Sequence, residues 1–117
     1  MATTVRDNPE QSRFEIHVDE ELAGFAEYAL RPGQIAFTHT EVFEAFGGRG
    51  LARELVDGAL AEARQRELAV LPFCPYVLRV ISRNQEQYLD LVPASERERF
   101  NLPAADAETG DGADGTA

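Results

Sequence analysis

The sequence predicts a single α+β domain: an antiparallel strand meander, a crossover helix after a glycine-rich turn, a parallel strand and short C-terminal helices. Three observations predict it: strand-like segments in the first half, a helical apolar stripe after the glycines, and a short, wholly apolar segment after that helix. Because a crossover between parallel strands is right-handed, the helix is expected to join the third strand to the last one.

The first half of the chain contains three predicted strands. Residues 13–18 alternate polar and apolar side chains, residues 22–30 place large apolar groups among small ones, and residues 35–42 form the third strand. Pro32 and Gly33 between the second and third strands suit the central positions of a type II turn. We therefore expect these strands to form an antiparallel meander.

The second half is predicted to be mainly helical. Residues 51–66 form a helix, and residues 69–73 form a short strand that is apolar on both faces, as in buried parallel sheets. Pro75 suits the first position of a second helix, and residues 85–92 form a last short helix. The apolar stripe of the first helix has helical spacing and consists of Ala52, Leu55, Val56, Ala59, Leu60 and Ala63.

Composition predicts that both ends of the chain are disordered. Residues 1–11 are polar and form a lead, residues 12–100 form the single domain, and residues 101–117 form an acidic tail. The tail is rich in Ala, Gly, Asp and Glu, and burial of these small and polar side chains cannot offset the entropy lost on ordering.

Charge and cysteine content limit the function classes. The net charge is −10 and all 11 basic residues are arginines, which disfavours nucleic-acid binding because phosphate neutralisation needs a basic surface. One cysteine, Cys74, allows neither an internal disulfide nor a cysteine-rich zinc site, and we expect no metal. With no apolar run of about 20 residues and no signal peptide, we expect a cytoplasmic protein that does not bind membranes.

The most informative segment is the glycine-rich turn Phe46-Gly47-Gly48-Arg49-Gly50-Leu51-Ala52. Glycines between a strand and a helix let the backbone approach a ligand, and the N–H groups of the first helical turn favour a phosphate. The turn lacks the lysine of a Walker loop and the full dinucleotide-binding fingerprint. The alternative is a flexible loop whose glycines serve packing alone.

These residues resemble a known family. Gly50-Leu51-Ala52 is similar to the end of the Gln/Arg-x-x-Gly-x-Gly/Ala motif with which GNAT (Gcn-related N-acetyltransferase) proteins bind CoA. Four further segments resemble a minimal subfamily, the YjdJ-like proteins: residues 39–42, 72–77, 83–84 and 88–92. The resemblance covers about residues 14–92. It departs at the first motif position, where Gly47 replaces the Gln or Arg of the superfamily.

The resemblance implies a site for acetyl-CoA as co-substrate. The pyrophosphate would rest on the backbone amides of residues 48–52, and the pantetheine would run along the strand that ends at Val42 and Phe43. The amides belong to Gly48, Arg49, Gly50, Leu51 and Ala52. Arg49 and Arg53 would pair with phosphates, and Asn84 would also contact CoA. Alternatively, Arg53 is a surface residue that pairs with Asp57.

Three residues are candidates for catalysis. Cys74 precedes a helix start, where a thiolate is stabilised, so it is a candidate nucleophile or acetyl acceptor. The alternative is an inert buried thiol. His39 and Glu41 are two apart in the third strand, on one face alongside Phe37, and suit a general base that acts directly or through a water. The alternative is a hydrogen-bonded core histidine and a carboxylate at the rim.

The resemblance implies an N-acetyltransferase that transfers acetyl to an amine, either a small molecule or a protein. The chain has no room for the two helices that form the acceptor wall in the superfamily, so a non-enzymatic acyl-CoA-binding or sensing domain is the alternative. A third reading is an interaction module without CoA binding. The acidic composition favours a cationic amine, and nothing in the sequence indicates an oligomeric state.

Overall fold

In the part of the chain that the structure describes, five strands form one sheet, in the order in which they occur along the chain. The computed structural model describes residues 2–103. Neighbouring strands β1 to β4 are antiparallel, whereas β4 and β5 are parallel. This arrangement confirms the predicted meander and parallel pair. The strands are β1 (Thr3–Asn8), β2 (Arg13–Val18), β3 (Glu21–Arg31), β4 (Gln34–Val42) and β5 (Ala69–Pro72).

Strand β1 corrects the prediction of a disordered lead over residues 1–11. Its six residues pair with β2 from Thr3 opposite Val18 to Asn8 opposite Arg13. Val5 also lies against the crossover helix, where a Cβ on Gly58 would be 2.9 Å from its Cγ1. An edge strand needs few apolar side chains, so the segment can be polar and still be ordered. Its order comes from the hydrogen bonds with β2, which composition cannot predict.

Helix α1 (Leu51–Gln65) crosses from β4 to β5 and covers one face of the sheet. Its stripe is as predicted, except that Leu51 is buried and Ala52 is only half-buried. With the strands it encloses the core, in which Ile16, Phe37 and Leu60 are at most 1 % exposed. The buried residues of α1 are Leu51, Leu55, Val56, Ala59, Leu60 and Ala63.

Two short helices follow β5. Helix α2 (Pro75–Arg83) starts with its proline at the first position, as predicted, and α3 (Gln85–Tyr88) passes into a 3₁₀ turn over Leu89–Leu91. Two more 3₁₀ turns lead to Phe100 and Leu102, which are 7 % and 6 % exposed.

The buried side chain of Leu102 shows that the folded part continues past residue 100, where the sequence places the end of the domain. The rest of the predicted tail, residues 104–117, lies outside the described residues. Over residues 2–103, no helix is both long and apolar enough to span a bilayer.

Candidate functional site

The glycine-rich turn leaves open space at the start of α1. Gly48 and Gly50 have φ angles of 79° and 73°, in the left-handed region that favours glycine. A Cβ built on either residue would have no atom within 4 Å. A ligand can therefore reach the backbone here, and a side chain at either position would both strain the backbone and occupy that space.

The first turn of α1 presents backbone N–H groups beside that space. The first intrahelical hydrogen bond runs from the Glu54 N–H to the Gly50 carbonyl, at 3.2 Å. The N–H groups of Leu51, Ala52 and Arg53 precede this bond, so the helix itself supplies no carbonyl for them. Together with the helix dipole, these groups suit a phosphate.

Two arginines flank the turn. Arg53 donates Nε–H to both carboxylate oxygens of Asp57, at 3.0 and 3.1 Å, and its side chain remains 43 % exposed. The hydrogen bond to Asp57 raises the pKa of Arg53, and Asp57 also accepts the hydroxyl of Tyr88 at 2.6 Å. The Arg49 guanidinium lies 5.5 Å from the centre of the Phe46 ring. Arg53 thus forms the ion pair with Asp57 that was the predicted alternative to phosphate binding, and it does so beside the turn.

Strands β4 and β5 separate beside the turn. Their pairing ends where Phe37 lies opposite Pro72, and β4 continues alone on that side as far as Val42. The Phe43 N–H bonds back to the Ala23 carbonyl of β3, so strand alternation directs the backbone groups of Thr40 and Val42 toward the side that β5 has left. This edge is where the predicted pantetheine path lies.

Cys74 lies at the point where the two strands separate. Its N–H bonds to the Phe37 carbonyl at 2.8 Å, and its Sγ is 3.3 Å from Thr40 Oγ1. The thiol is 3 % exposed and occupies the position before the first residue of α2, Pro75. The structure therefore brings Cys74 to the edge of β4, and Thr40 is its partner there, a residue that sequence reasoning did not identify.

A bulge in β4 corrects the predicted face of Phe37. His39 pairs with Glu27 and Phe37 pairs with Tyr28, so Thr38 is an extra residue in β4. Because Glu27 and Tyr28 are consecutive and face opposite sides, Phe37 and His39 do so as well. Phe37 is buried in the core.

His39 and Glu41 do share a face, as predicted, with His39 Nε2 3.4 Å from Glu41 Oε1. Their side chains are 55 % and 49 % exposed. The pair therefore lies at the surface, and the alternative of a core histidine is wrong.

The face that carries His39 also holds a buried carboxylate. Glu15 is 8 % exposed and accepts hydrogen bonds from Asn8 and Arg13, at 2.9 and 2.8 Å, with His17 Nε2 at 3.0 Å. Burial raises the pKa of Glu15, but the hydrogen bonds to Asn8, His17 and Arg13 outweigh it and lower the pKa from 4.5 to about 2.

Phe25 lies between this carboxylate and the histidine pair. The Arg13 guanidinium is 4.7 Å from the centre of the Phe25 ring, and the rings of His39 and Phe43 are 6.1 and 6.0 Å from it. Sequence reasoning missed Phe25 because its neighbours come from two segments that are distant in the sequence, one around Arg13 and one around His39 and Phe43. The one signal in the sequence that could have identified Phe25 is that it is a large aromatic residue among the small residues Ala23, Gly24 and Ala26.

Asn84 occupies the junction of α2 and α3. Its side-chain amide donates to the Val80 carbonyl at 2.8 Å, so Nδ2 serves to end α2. A surface groove of about 680 Å³ lies nearby, at the C-terminal end of α1, between the Arg64–Asp90 ion pair and Arg97. Arg64 is about 20 Å along the helix from Gly50, so this groove is separate from the glycine-rich turn.

The chain matches one family of known proteins and shares its fold with solved structures. Residues 13–91 match the family described as GCN5-related N-acetyl-transferase. A GCN5-like protein of Staphylococcus aureus, solved by NMR, has a similar fold, with a TM-score of 0.58 and 21 % identity over 77 % of this chain and 87 % of that chain.

More distant structures include the ribosomal-protein-alanine N-acetyltransferase of Brucella melitensis biovar Abortus, with a TM-score of 0.45 and 22 % identity over 69 % of this chain and 61 % of that one. Ard1 of Thermoplasma volcanium has a TM-score of 0.45 and 21 % identity over 52 % and 43 %. No curated protein matches the sequence. The resemblance to YjdJ-like proteins stays a prediction. Because the family match covers about two thirds of the sequence, the chain belongs to the GCN5-related N-acetyl-transferase family.

Proposed function

We propose that this protein binds acetyl-CoA at the turn between β4 and α1 and transfers the acetyl group to an amine. The observation that carries the proposal is the start of α1 at Gly50. Two left-handed glycines leave open space there, the N–H groups of the first helical turn face no intrahelical carbonyl, and the edge of β4 is free of β5 nearby.

The residues present fit the phosphates of CoA. The amides of residues 48–52 would hold the pyrophosphate, and Arg53 would reach a phosphate through the part of its guanidinium that Asp57 does not engage. The edge of β4 from Thr40 to Val42, with Phe43 after it, would hold the pantetheine. Acetyl-CoA would supply an acyl group activated as a thioester.

The chain's own residues supply position and proton transfer. His39 would accept the proton that an ammonium acceptor must lose before its nitrogen attacks, and Glu41 would take the same role through a water. In the transfer, the C–N bond forms, the C–S bond breaks, and the thiolate of CoA leaves with a proton. Holding the amine and the thioester next to each other at the edge of β4 would lower the reaction barrier further, because the two groups no longer have to meet by diffusion.

Cys74 is a second candidate for chemistry at the same edge. Its thiolate would take the acetyl group first, with release of CoA, and pass it to the amine. We expect Cys74→Ala to lower the rate of acetyl transfer and to leave acetyl-CoA binding unchanged. An unchanged rate would assign Cys74 to the core, in keeping with its 3 % exposure.

One observation favours a binding domain without transfer. Only residues 9–12 join β1 to β2, so no helix stands between these strands, and the side chains of His39 and Glu41 are about half exposed. An open acceptor side of this kind fits an acyl-CoA sensor. It also fits an enzyme whose cationic acceptor, attracted by the acidic surface, completes the site.

Calorimetric titration with acetyl-CoA tests the proposal. Gly50→Glu should abolish binding, because its side chain places bulk and negative charge in the phosphate space. Gly33→Glu is the matched control, since Gly33 has a φ of 72° and equally open surroundings but lies in the turn between β3 and β4. Binding should be unchanged in this control.

Four results are informative. Absence of binding by the unmodified protein refutes the proposal, as does equal binding by Gly50→Glu. Binding without acetylation of any amine in a panel of polyamines, amino acids and lysine peptides favours the sensor. Binding with turnover establishes the transferase.

A further inference from the structure

Phe25 lies at the centre of a contact cluster that spans three strands. Arg13 of β2 stacks on its ring at 4.7 Å, and the rings of His39 and Phe43 lie 6.1 and 6.0 Å away, within the range of direct aromatic contact. The contact with Phe43 is edge-to-face, with an interplanar angle of 64°. One ring therefore touches both the candidate base and the residue at the end of the pantetheine path.

The Phe25 ring is also fixed on its β2 side, away from His39 and Glu41 on β4. Arg13 donates Nε–H to Glu15 at 2.8 Å, and Glu15 is also bonded by Asn8, so the arginine has a fixed position. Glu15 and Phe25 are register partners, and Phe25 and Glu41 are register partners in turn. The ring of Phe25 is thus confined by a buried ion pair on β2 and by the surface pair on β4.

Phe43 is the link to the CoA side. Its N–H is tied to the Ala23 carbonyl on β3, and the 3₁₀ turn Glu44–Phe46 and the glycine-rich turn follow it directly. A ligand that occupies the glycine-rich turn and the edge of β4 would press on the Phe43 segment. Because Phe25 contacts both Phe43 and His39, it offers a path by which a displacement of the Phe43 ring can reach His39.

We propose that Phe25 is a positioning residue that sets the imidazole of His39 relative to Phe43 and so couples occupancy of the CoA site to the acceptor side. The proposal rests on the proposed CoA site. It assigns Phe25 no contact with the reacting atoms. A merely structural role, covering the sheet surface, would affect stability and leave the response of His39 to CoA intact.

Imidazole resonances give a direct readout, because the chain has only two histidines, His17 and His39. NMR spectra recorded with and without CoA, and assigned with His39→Ala, should show a CoA-induced shift at His39. In Phe25→Leu that shift should be lost, at saturating CoA confirmed by calorimetry. Phe25→Tyr, which keeps the ring, should restore it.

Phe73→Leu is the matched control. Phe73 is also a partly exposed aromatic residue, but its ring contact is with Phe100, at 5.2 Å. This variant should show the full CoA-induced shift at His39. An equal shift in Phe25→Leu and the unmodified protein would overturn the proposal.

Failure of the proposed function is distinguishable from failure of this inference. If calorimetry shows no CoA binding, the proposed function falls, and the spectra without ligand decide the positioning role. In those spectra the nuclear Overhauser contacts between the His39 imidazole and the Glu41 side chain, which lie 3.4 Å apart, must weaken in Phe25→Leu and persist in Phe73→Leu, because the loss of the Phe25 ring current would change the His39 chemical shift in any case. Unchanged contacts between His39 and Glu41 in Phe25→Leu would overturn the inference.

Discussion

Replacement of Glu15 by glutamine tests whether the buried carboxylate stabilises the sheet. Glu15 is 8 % exposed, and its pKa is lowered from 4.5 to about 2 because the hydrogen bonds to Asn8, His17 and Arg13 outweigh burial. That difference corresponds to roughly 3 kcal/mol of folding free energy at neutral pH. A domain of this size has a total stability of about 5–15 kcal/mol, so the effect should be readily measured.

The pH dependence has a definite sign. The carboxyl group has a lower pKa in the folded state than in the unfolded state, so its contribution is fully present above pH 4.5 and is lost as the pH falls toward 2. Glutamine resembles the protonated acid, which cannot form the charged pairs. The free energy of unfolding of the two proteins should therefore differ at pH 7 and converge near pH 2.

Urea denaturation at several pH values measures this difference. With an m value of about 1–3 kcal/mol/M, Glu15→Gln should lower the midpoint at pH 7 by roughly 1–3 M. Glu20→Gln is the control, because the Glu20 side chain is 81 % exposed in its pair with Arg6, and it should cost less than about 1 kcal/mol. A difference between Glu15→Gln and the unmodified protein that stays constant from pH 7 to pH 2 would refute the reasoning.

Two further variants test the packing around the site. Gly24→Ala should lose about 1–3 kcal/mol of stability, because its Cβ would lie 2.5 Å from the backbone oxygen of Glu41. Gly47→Ala, with a nearest contact of 3.4 Å at a φ of −66°, should change stability by less than about 0.5 kcal/mol. Equal urea midpoints for these two alanine variants would show that β3 can move away from β4 at no cost. Tyr88→Phe should lose about 1–2 kcal/mol, since it removes the 2.6 Å hydrogen bond to Asp57 that joins α3 to α1. If Tyr88→Phe and the unmodified protein have the same melting temperature, the hydrogen bond to Asp57 does not stabilise the fold.

The elements that the sequence predicts correctly are those whose signal is local. The crossover helix has an apolar stripe at helical spacing, and Pro75 marks the next helix start because its ring fixes φ at a helical value. The wholly apolar segment at Ala69–Pro72 became the parallel strand, because only a strand covered on both faces is apolar throughout. The resemblance to the GNAT superfamily is likewise confirmed.

The prediction failed where order comes from a partner. Strand β1 has a polar sequence, and its order depends on pairing with β2 and on the contact of Val5 with α1 at Gly58. The C-terminal segment is similar, because Leu102 is buried as a member of the hydrophobic core. Composition indicates how much apolar surface a segment can bury. It does not indicate whether another segment will pair with it or pack against it.

The α+β class, the place of the crossover and the glycines that open the start of α1 could be predicted from the sequence, because period, turn chemistry and left-handed φ angles depend on neighbouring residues. Which side chains meet could not be predicted, because it depends on how the strands pair. The bulge at Thr38 turns His39 away from Phe37, and Phe25 on β3 makes contacts with residues of both neighbouring strands, β2 and β4. One extra residue in a strand reverses the face of every later side chain, and register between strands is a long-range property that no local pattern encodes.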